Sequence, residues 1–222
     1  MKREFLTTQD GSVTIHLPDW NEQYHSKHGA INEARHVFIE AGLVFFLNKN
    51  TASAISILEI GFGTGLNAFL TLLYAKKHEL KIVYTGVEGY PVVSSEIRQL
   101  NYPELLQANS ETFGELHEAP WETATTISEE FTLTKRKQFF SEITDEGIYN
   151  IIYFDAFGAR VQPELWTEHI FKIMYRALQP QGVLVTYSAK GSVRRAMQVV
   201  GFTVERLPGP PGKREMLRAV KG

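Results

Sequence analysis

The chain has 222 residues, no cysteine and a formal net charge of −2. That length fits one domain of about 100–200 residues, and the missing cysteine excludes disulfides, thiolate nucleophiles and zinc–thiolate sites. No apolar run approaches the roughly 20 residues that span a membrane, and the start Met1–Leu6 lacks the apolar core of a signal peptide, so a cytoplasmic protein is expected.

A single domain over 1–222 is expected, with 1–50 as a segment over the ligand site and 51–222 as the core. Residues Tyr24 to His36 are rich in polar groups, and with His16 they hold four histidines. No paired spacing of a known metal site accompanies them, so no metal is expected. Ile55–Ile60, Ile82–Val87, Ile148–Phe154 and Val183–Tyr187 are short, nearly continuous apolar runs, as strands buried on both faces are. Leu66–Lys77 and Glu164–Leu178 carry helical patterns, the second opening after Pro163 and stopping before Pro180. Gln99 to Ser128 predicts irregular helices, followed by a strand near Phe131–Thr134. Strand alternating with helix implies right-handed crossovers and a parallel sheet.

The rhythm changes at the end. After a helix at Ser192–Val200, strands Phe202–Leu207 and Glu215–Val220 are separated only by Pro208–Arg214, too short for a parallel crossover. The expected fold class is therefore α/β, a doubly wound, mostly parallel seven-stranded sheet with an antiparallel last strand.

Charge is unevenly spread. Residues 186 to 222 carry eight basic and two acidic side chains, +6 there and −8 elsewhere. A local anion-binding face would produce this, and so would basic residues that only solvate a surface.

Leu58-Glu59-Ile60-Gly61-Phe62-Gly63-Thr64-Gly65-Leu66-Asn67 follows the first core strand and opens a helix. Glycines let backbone approach a ligand, and helix-end amides offer donors. The nicotinamide fingerprint wants Gly or Ala at the sixth position, where this chain has Leu66. Acid-x-Gly-x-Gly-x-Gly resembles instead the S-adenosylmethionine loop, in which Glu59 would face the ligand's cationic methionine end. Gly61, Gly63, Gly65 and Asn67 are candidate cofactor residues. Glu88 closes the next strand about 20 residues on, where an acid accepts from ribose hydroxyls in either cofactor class. A reversed last strand is the arrangement of Rossmann-like class I methyltransferases.

Further along stand Tyr153-Phe154-Asp155-Ala156-Phe157, Pro163-Glu164-Leu165-Trp166-Thr167, Gly191-Ser192-Val193-Arg194-Arg195, Val200-Gly201-Phe202 and Gly212-Lys213-Arg214-Glu215-Met216-Leu217. With the glycine loop, this ordered series resembles the DUF752 family, the methyltransferase module of the bacterial tRNA modification enzyme MnmC. The resemblance runs from about Tyr24 to the end and implies a stand-alone form of the module. It implies S-adenosylmethionine-dependent methylation of the 5-aminomethyl group of the tRNA wobble uridine. The implied partners are the anticodon stem-loop and an upstream enzyme that makes the aminomethyl uridine. It also implies that Glu33, sharing a helical face with His36, belongs to the segment folded over the cofactor. Gln138 stands where such enzymes carry an acid for the adenine amino group.

Asp155 ends a strand at the carboxyl edge, where open α/β sheets bind ligands. It is a candidate for the cofactor site and the candidate to orient or deprotonate an acceptor amine, or alternatively to cap a helix. Phe157 and Trp166 could stack on an extruded uracil, and core packing is the competing role for Trp166. Lys190, Arg194, Arg195, Lys213 and Arg214 are candidate phosphate contacts; Ser192 is read as a helix cap. Two other functions stay open: methyl or aminopropyl transfer to another amine such as a polyamine, and a non-catalytic adenosylmethionine-binding subunit.

Overall fold

A computed structural model describes residues 2–222. The chain opens with β1 (Glu4–Thr7), β2 (Val13–Leu17) and β3 (Glu22–Gln23), which form a separate antiparallel sheet. Helix α1 (Ala30–Ala34) runs through a π-helical stretch, Arg35–Val44, into α2 (Phe45–Leu47). The core alternation follows as β4 (Ile55–Ile60), α3 (Leu66–His78) and β5 (Ile82–Val87). Three short helices, α4 (Ser94–Ile97), α5 (Tyr102–Leu105) and α6 (Ser110–Glu118), fill the irregular region. Then come β6 (Thr125–Ser128), β7 (Phe131–Arg136), β8 (Tyr149–Phe154), α7 (Glu168–Ala177) and β9 (Leu178–Thr186). Helix α8 (Gly191–Val199) precedes the hairpin of β10 (Phe202–Pro208) and β11 (Glu215–Lys221).

The main sheet has eight strands in the order β10-β11-β9-β8-β4-β5-β7-β6, one more than the seven expected. The addition is β6, short and half-exposed, which folds back antiparallel on β7. Its Thr-Thr-Ile-Ser sequence has no continuous apolar run, because an edge strand is covered on one side only. The reversed strand is β11, as expected. It is inserted between β9 and β10, antiparallel to both.

Period-two alternation sorts the strands onto two faces. Ile55, Ile57, Ile151, Tyr153, Val183 and Val185 join one cluster under α3 and the N-terminal helix. Leu58, Ile60, Ile152, Phe154 and Leu184 join the other, under α7 and α8. Both faces are buried, so the runs are continuous rather than alternating, and each fully buried large side chain contributes about 1.5–3 kcal/mol. This parity also places the acids: Glu59 and Asp155 continue the odd-numbered face, toward α3 and α1.

Two glycines set backbone spacing around the loop after β4. A Cβ at Gly86 would lie 2.3 Å from the Phe62 ring, so the bare strand is the seat for that ring. A Cβ at Gly61 would lie 2.7 Å from the carbonyl oxygen of Asp155, which lets the ends of β4 and β8 meet.

Candidate active site

Strand β4 lies between β5 and β8, and the chain winds outward from it in both directions. Such a switch point leaves a crevice beyond the carboxyl ends of the strands. Here the crevice is a cavity of about 1240 Å³, above the ~300–1,000 Å³ usual for one small ligand. Its floor is the glycine loop and the ends of β5, β8 and β9; its cover is Leu17 to Glu33 from the N-terminal segment. Arg160, just past β8, donates to the carbonyls of Trp20 and Asn21 at 3.1 and 2.9 Å, tying cover to floor.

The loop is tight because Gly61, Gly63 and Gly65 all have positive φ. The Gly63 amide donates to Glu88 Oε2 at 3.0 Å, and the Tyr90 amide donates to Oε1 at 2.8 Å. A carboxylate offers about four acceptor positions, so two amides fix Glu88 and leave capacity facing the cavity. Tyr24 packs on Gly63, where a Cβ would be 3.0 Å from its ring.

At the first turn of α3, Asn67 Nδ2 donates to Glu59 Oε1 at 2.9 Å and to Asp155 Oδ2 at 2.8 Å. Neither Glu59 Oε2, the Tyr84 hydroxyl nor Asn67 Oδ1 completes a hydrogen bond among the described residues. Burial holds the Glu59 carboxyl well above the ordinary range. Burial also pushes Asp155 up to about 7, helped by the nearby charge of Glu33 and opposed by Asn67 and Lys213.

Glu33 accepts from the Ser26 amide at 2.8 Å and forms an ion pair with Lys213. Tyr187, just past β9, donates to the Ala156 carbonyl at 2.8 Å. Phe157 meets Tyr24 edge-to-face at 5.0 Å and Trp20 at 5.7 Å. Below them His25 hydrogen-bonds Thr64 at 2.7 Å, and burial lowers it to about 4, so the ring is neutral at pH 7.

The raised Asp155 has a consequence for stability. A carboxyl that binds its proton more tightly when folded loses stability as pH rises from its unfolded value, near 4, through about 7. Asp155→Asn removes that cost, so thermal unfolding at pH 8 should shift up, by about 2–4 °C for each kcal/mol recovered in a chain of this size. At pH 4 the two proteins should melt together. An equal shift at both pH values would assign the gain to packing instead.

Of the residues expected from sequence, Glu33, Gly61, Gly63, Asn67, Glu88, Asp155, Phe157 and Lys213 line this one cavity. Others do not. Glu59 lies behind Asn67, fully buried, because strand parity turns it under α3. Gly65 sits against His117 behind the loop. Gln138 is bracketed by the lining residues Lys137 and Phe139 and does not line the cavity itself. Trp166 is a core residue packed on Phe154, Phe171 and Tyr187, and its indole donates to the Phe157 carbonyl at 2.7 Å. Lys190 and Arg195 are exposed at the start of α8, Arg194 is half-buried beside them, and Arg214 is exposed at the hairpin tip. Lys213 leaves that tip for the cavity.

Sequence reading did not single out Tyr187, Glu22 or Arg160. Tyr187 could have been found, because it stands just past its strand at the same edge as Asp155. The Glu22–Arg160 ion pair at 3.1 Å joins residues 138 apart and left no local signal.

S-adenosylmethionine fits these residues: Gly61 and Gly63, both at positive φ, line the cavity without side chains, and a pre-held carboxylate at a strand end suits a ribose. When bound, it supplies an electrophilic methyl group on positively charged sulfur. The reversed strand, the glycine loop and the strand-end acid define a Rossmann-like class I methyltransferase. Residues 123–222 match the family described as S-adenosyl-L-methionine-dependent methyltransferase. The chain is 30% identical over 233 residues to the tRNA 5-methylaminomethyl-2-thiouridine biosynthesis bifunctional protein MnmC of Marinomonas sp. (strain MWYL1), covering 94% of this chain and 32% of that protein. The homonymous protein of Aeromonas hydrophila is 25% identical, covering 90% and 34%. The chain thus spans about a third of the length of the curated relatives it matches, and over nearly all of its own length it is similar to that part of them. Among solved structures, MnmC2 from Aquifex aeolicus superposes with a TM-score of 0.76 at 24% identity, covering 98% of this chain and 70% of that one. Spermidine synthase from Thermotoga maritima shares the fold, with a TM-score of 0.53 at 14% identity, covering 100% and 72%.

No helix among the described residues is long and apolar enough to cross a membrane. No cluster of three or more metal-ligating side chains occurs among them.

Proposed function

We propose that this chain methylates the 5-aminomethyl group of the tRNA wobble uridine, giving 5-methylaminomethyluridine or its 2-thio form, in the cytoplasm. The observation that carries this is a cavity of about 1240 Å³ with Asp155 on its lining, roomy enough for a cofactor and an extruded nucleoside together. The names borne by the curated relatives indicate the same nucleoside.

Residues 1–222 act as one unit, with 1–50 as the cover of the cofactor site. Glu88 takes the ribose, the glycine loop takes the methionine end, and Phe157 with Tyr24 and Trp20 offers aromatic faces to a flipped base. The acceptor is an alkylamine with a reference pKa near 10, so about one molecule in a thousand is neutral at pH 7. Only the neutral form has the lone pair that attacks. Asp155, at about 7, is poised near the working pH, where a general base is most effective. It holds the nitrogen and takes or relays its proton.

Phosphate contacts belong to Lys190, Arg194, Arg195 and Arg214. Replacing Arg194 and Arg195 together should raise the KM for tRNA and reduce its log–log salt slope by about 2, since each contact contributes about 0.7–0.9. The kcat at saturating tRNA should hold, because these contacts are alike in ground and transition states. Initial rates across a salt series measure this.

A second reading, transfer to a free polyamine, is favoured by the three carboxylates Glu22, Glu33 and Asp155 around one cavity. Methyl-labelled cofactor incubated with tRNA and, separately, with spermidine decides between them. Label in tRNA supports the proposal; label in spermidine alone overturns it.

A further inference from the structure

Along the carboxyl edge the strand ends follow in order: Glu88 after β5, the glycine loop after β4, Asp155 after β8, Tyr187 after β9, and Lys213 before β11. The cradle for the cofactor thus lies on one side of Asp155. Tyr187 and Lys213 lie on the other, where an acceptor must arrive. Lys213 was expected to meet a phosphate outside; instead its ammonium stands 3.8 Å over the Tyr187 ring and pairs with Glu33.

The hairpin tip that carries it is fixed in place. His36 Nε2 hydrogen-bonds the Pro208 carbonyl at 2.8 Å, and the Lys213 amide donates to the Pro210 carbonyl at 2.9 Å. Gly212 has φ +81, and a Cβ there would stand 2.0 Å from the His28 ring. The tip therefore lies flat against the N-terminal cover, and its lysine has little freedom to swing away.

The charges around the ammonium can be followed element by element. From α1 comes Glu33, whose second oxygen is held by the Ser26 amide. From β3 comes Glu22, neutralised by Arg160. From β8 comes Asp155. From β9 comes Tyr187, whose hydroxyl is engaged by Ala156 and held protonated by burial. His25 is buried and neutral, and His28 borders the tip with Nδ1 on Gln9. Without Lys213, Glu33 would stand as an uncompensated carboxylate beside Asp155, whose carboxyl Lys213 helps to ionise. Such a pair would trap an incoming ammonium and withhold the lone pair.

We infer that Lys213 selects the acceptor amine in its uncharged form: it occupies the carboxylate of Glu33 and repels a second cation beside Asp155. The ammonium form of the substrate passes its proton by way of Asp155 to solvent on docking, and the neutral amine remains within reach of Asp155. Lys213 acts through charge on its neighbours and is a positioning residue. The inference rests on the proposed amine acceptor.

The test compares two anticodon stem-loops, one with 5-aminomethyluridine and one with 5-hydroxymethyluridine at the wobble position. Binding is measured with S-adenosylhomocysteine present between about pH 6 and 8.5. For the unmodified protein, affinity for the aminomethyl stem-loop relative to the hydroxymethyl one should rise by up to about tenfold per pH unit, as neutral amine becomes available. In Lys213→Met this rise should flatten or reverse, and Lys213→Arg should retain it. The double variant Glu33→Gln, Lys213→Met removes both charges and should restore it, which separates a charge effect from misfolding. In turnover, Lys213→Met should lose about tenfold at pH 7 and recover toward pH 9. A ratio that follows pH identically in Lys213→Met, or a rate loss equal at all pH values, overturns the inference. If the unmodified protein binds neither stem-loop, the acceptor assignment itself has failed, and the inference falls with it.

Discussion

Replacing Asp155 by alanine is expected to lower kcat by about 100-fold or more while affinity for S-adenosylhomocysteine changes by less than about twofold. The magnitude follows from removing a positioned proton acceptor, worth typically 10²–10⁴. The split follows from geometry. Asp155 is bonded to Asn67, which also holds Glu59, whereas the groups nearest the cofactor cradle, Glu88 and Gly63, hold one another. Loss of an interaction made only in the transition state lowers kcat and kcat/KM together. Asp155→Asn should keep the hydrogen bond from Asn67 and still lose most turnover, since an amide cannot take the proton. Steady-state rates with titration calorimetry on both variants check this; a parallel loss of cofactor affinity would move Asp155 from the acceptor to the cofactor.

Gly63→Val is expected to abolish detectable cofactor binding. Its φ of +49 is one that β-branched residues rarely adopt, and even a Cβ would press within 3.0 Å of the Tyr24 ring. Valine would also displace the amide that fixes Glu88 Oε2. Glu88→Ala acts on the same ligand more gently. It keeps the loop's glycines but removes the proposed ribose acceptor together with the partner of the Gly63 amide, so affinity should fall by about tenfold or more, the value of a charged hydrogen bond near 1.5–3 kcal/mol. Calorimetry with S-adenosylhomocysteine measures both. Unchanged affinity in both would sink the placement of the cofactor over β4 and β5.

Much of this arrangement was legible because it is written in local order. Strands β4, β5 and β8 announce themselves as branched and aromatic runs, the glycine loop by its spacing, and the final hairpin by a linker too short to cross over. Asp155 and Glu88 were readable as strand-end acids, since strand ends at a switch point are where ligands gather. What was hidden depends on contacts across the chain. Glu59 carries the right motif, but the twofold period of β4 turns it beneath Asn67. Of the two roles open to Trp166, core packing holds: it lies in the apolar cluster of α7 and touches the site through the Phe157 carbonyl and the Tyr187 ring. Lys213 reads as a cation on a loop tip, and only the packing of Gly212 on His28 sends it inward. Strand β6 escaped because an edge strand needs no apolar run.

The most direct test is mass spectrometry of nucleosides from tRNA that carries 5-aminomethyluridine at the wobble position, before and after reaction with S-adenosylmethionine. The account predicts that the aminomethyl nucleoside disappears and is replaced by one heavier by a single methylene, with fragmentation placing the methyl on the side-chain nitrogen. Persistence of the aminomethyl nucleoside while the cofactor is consumed, or a methyl found on another nucleoside, would contradict it.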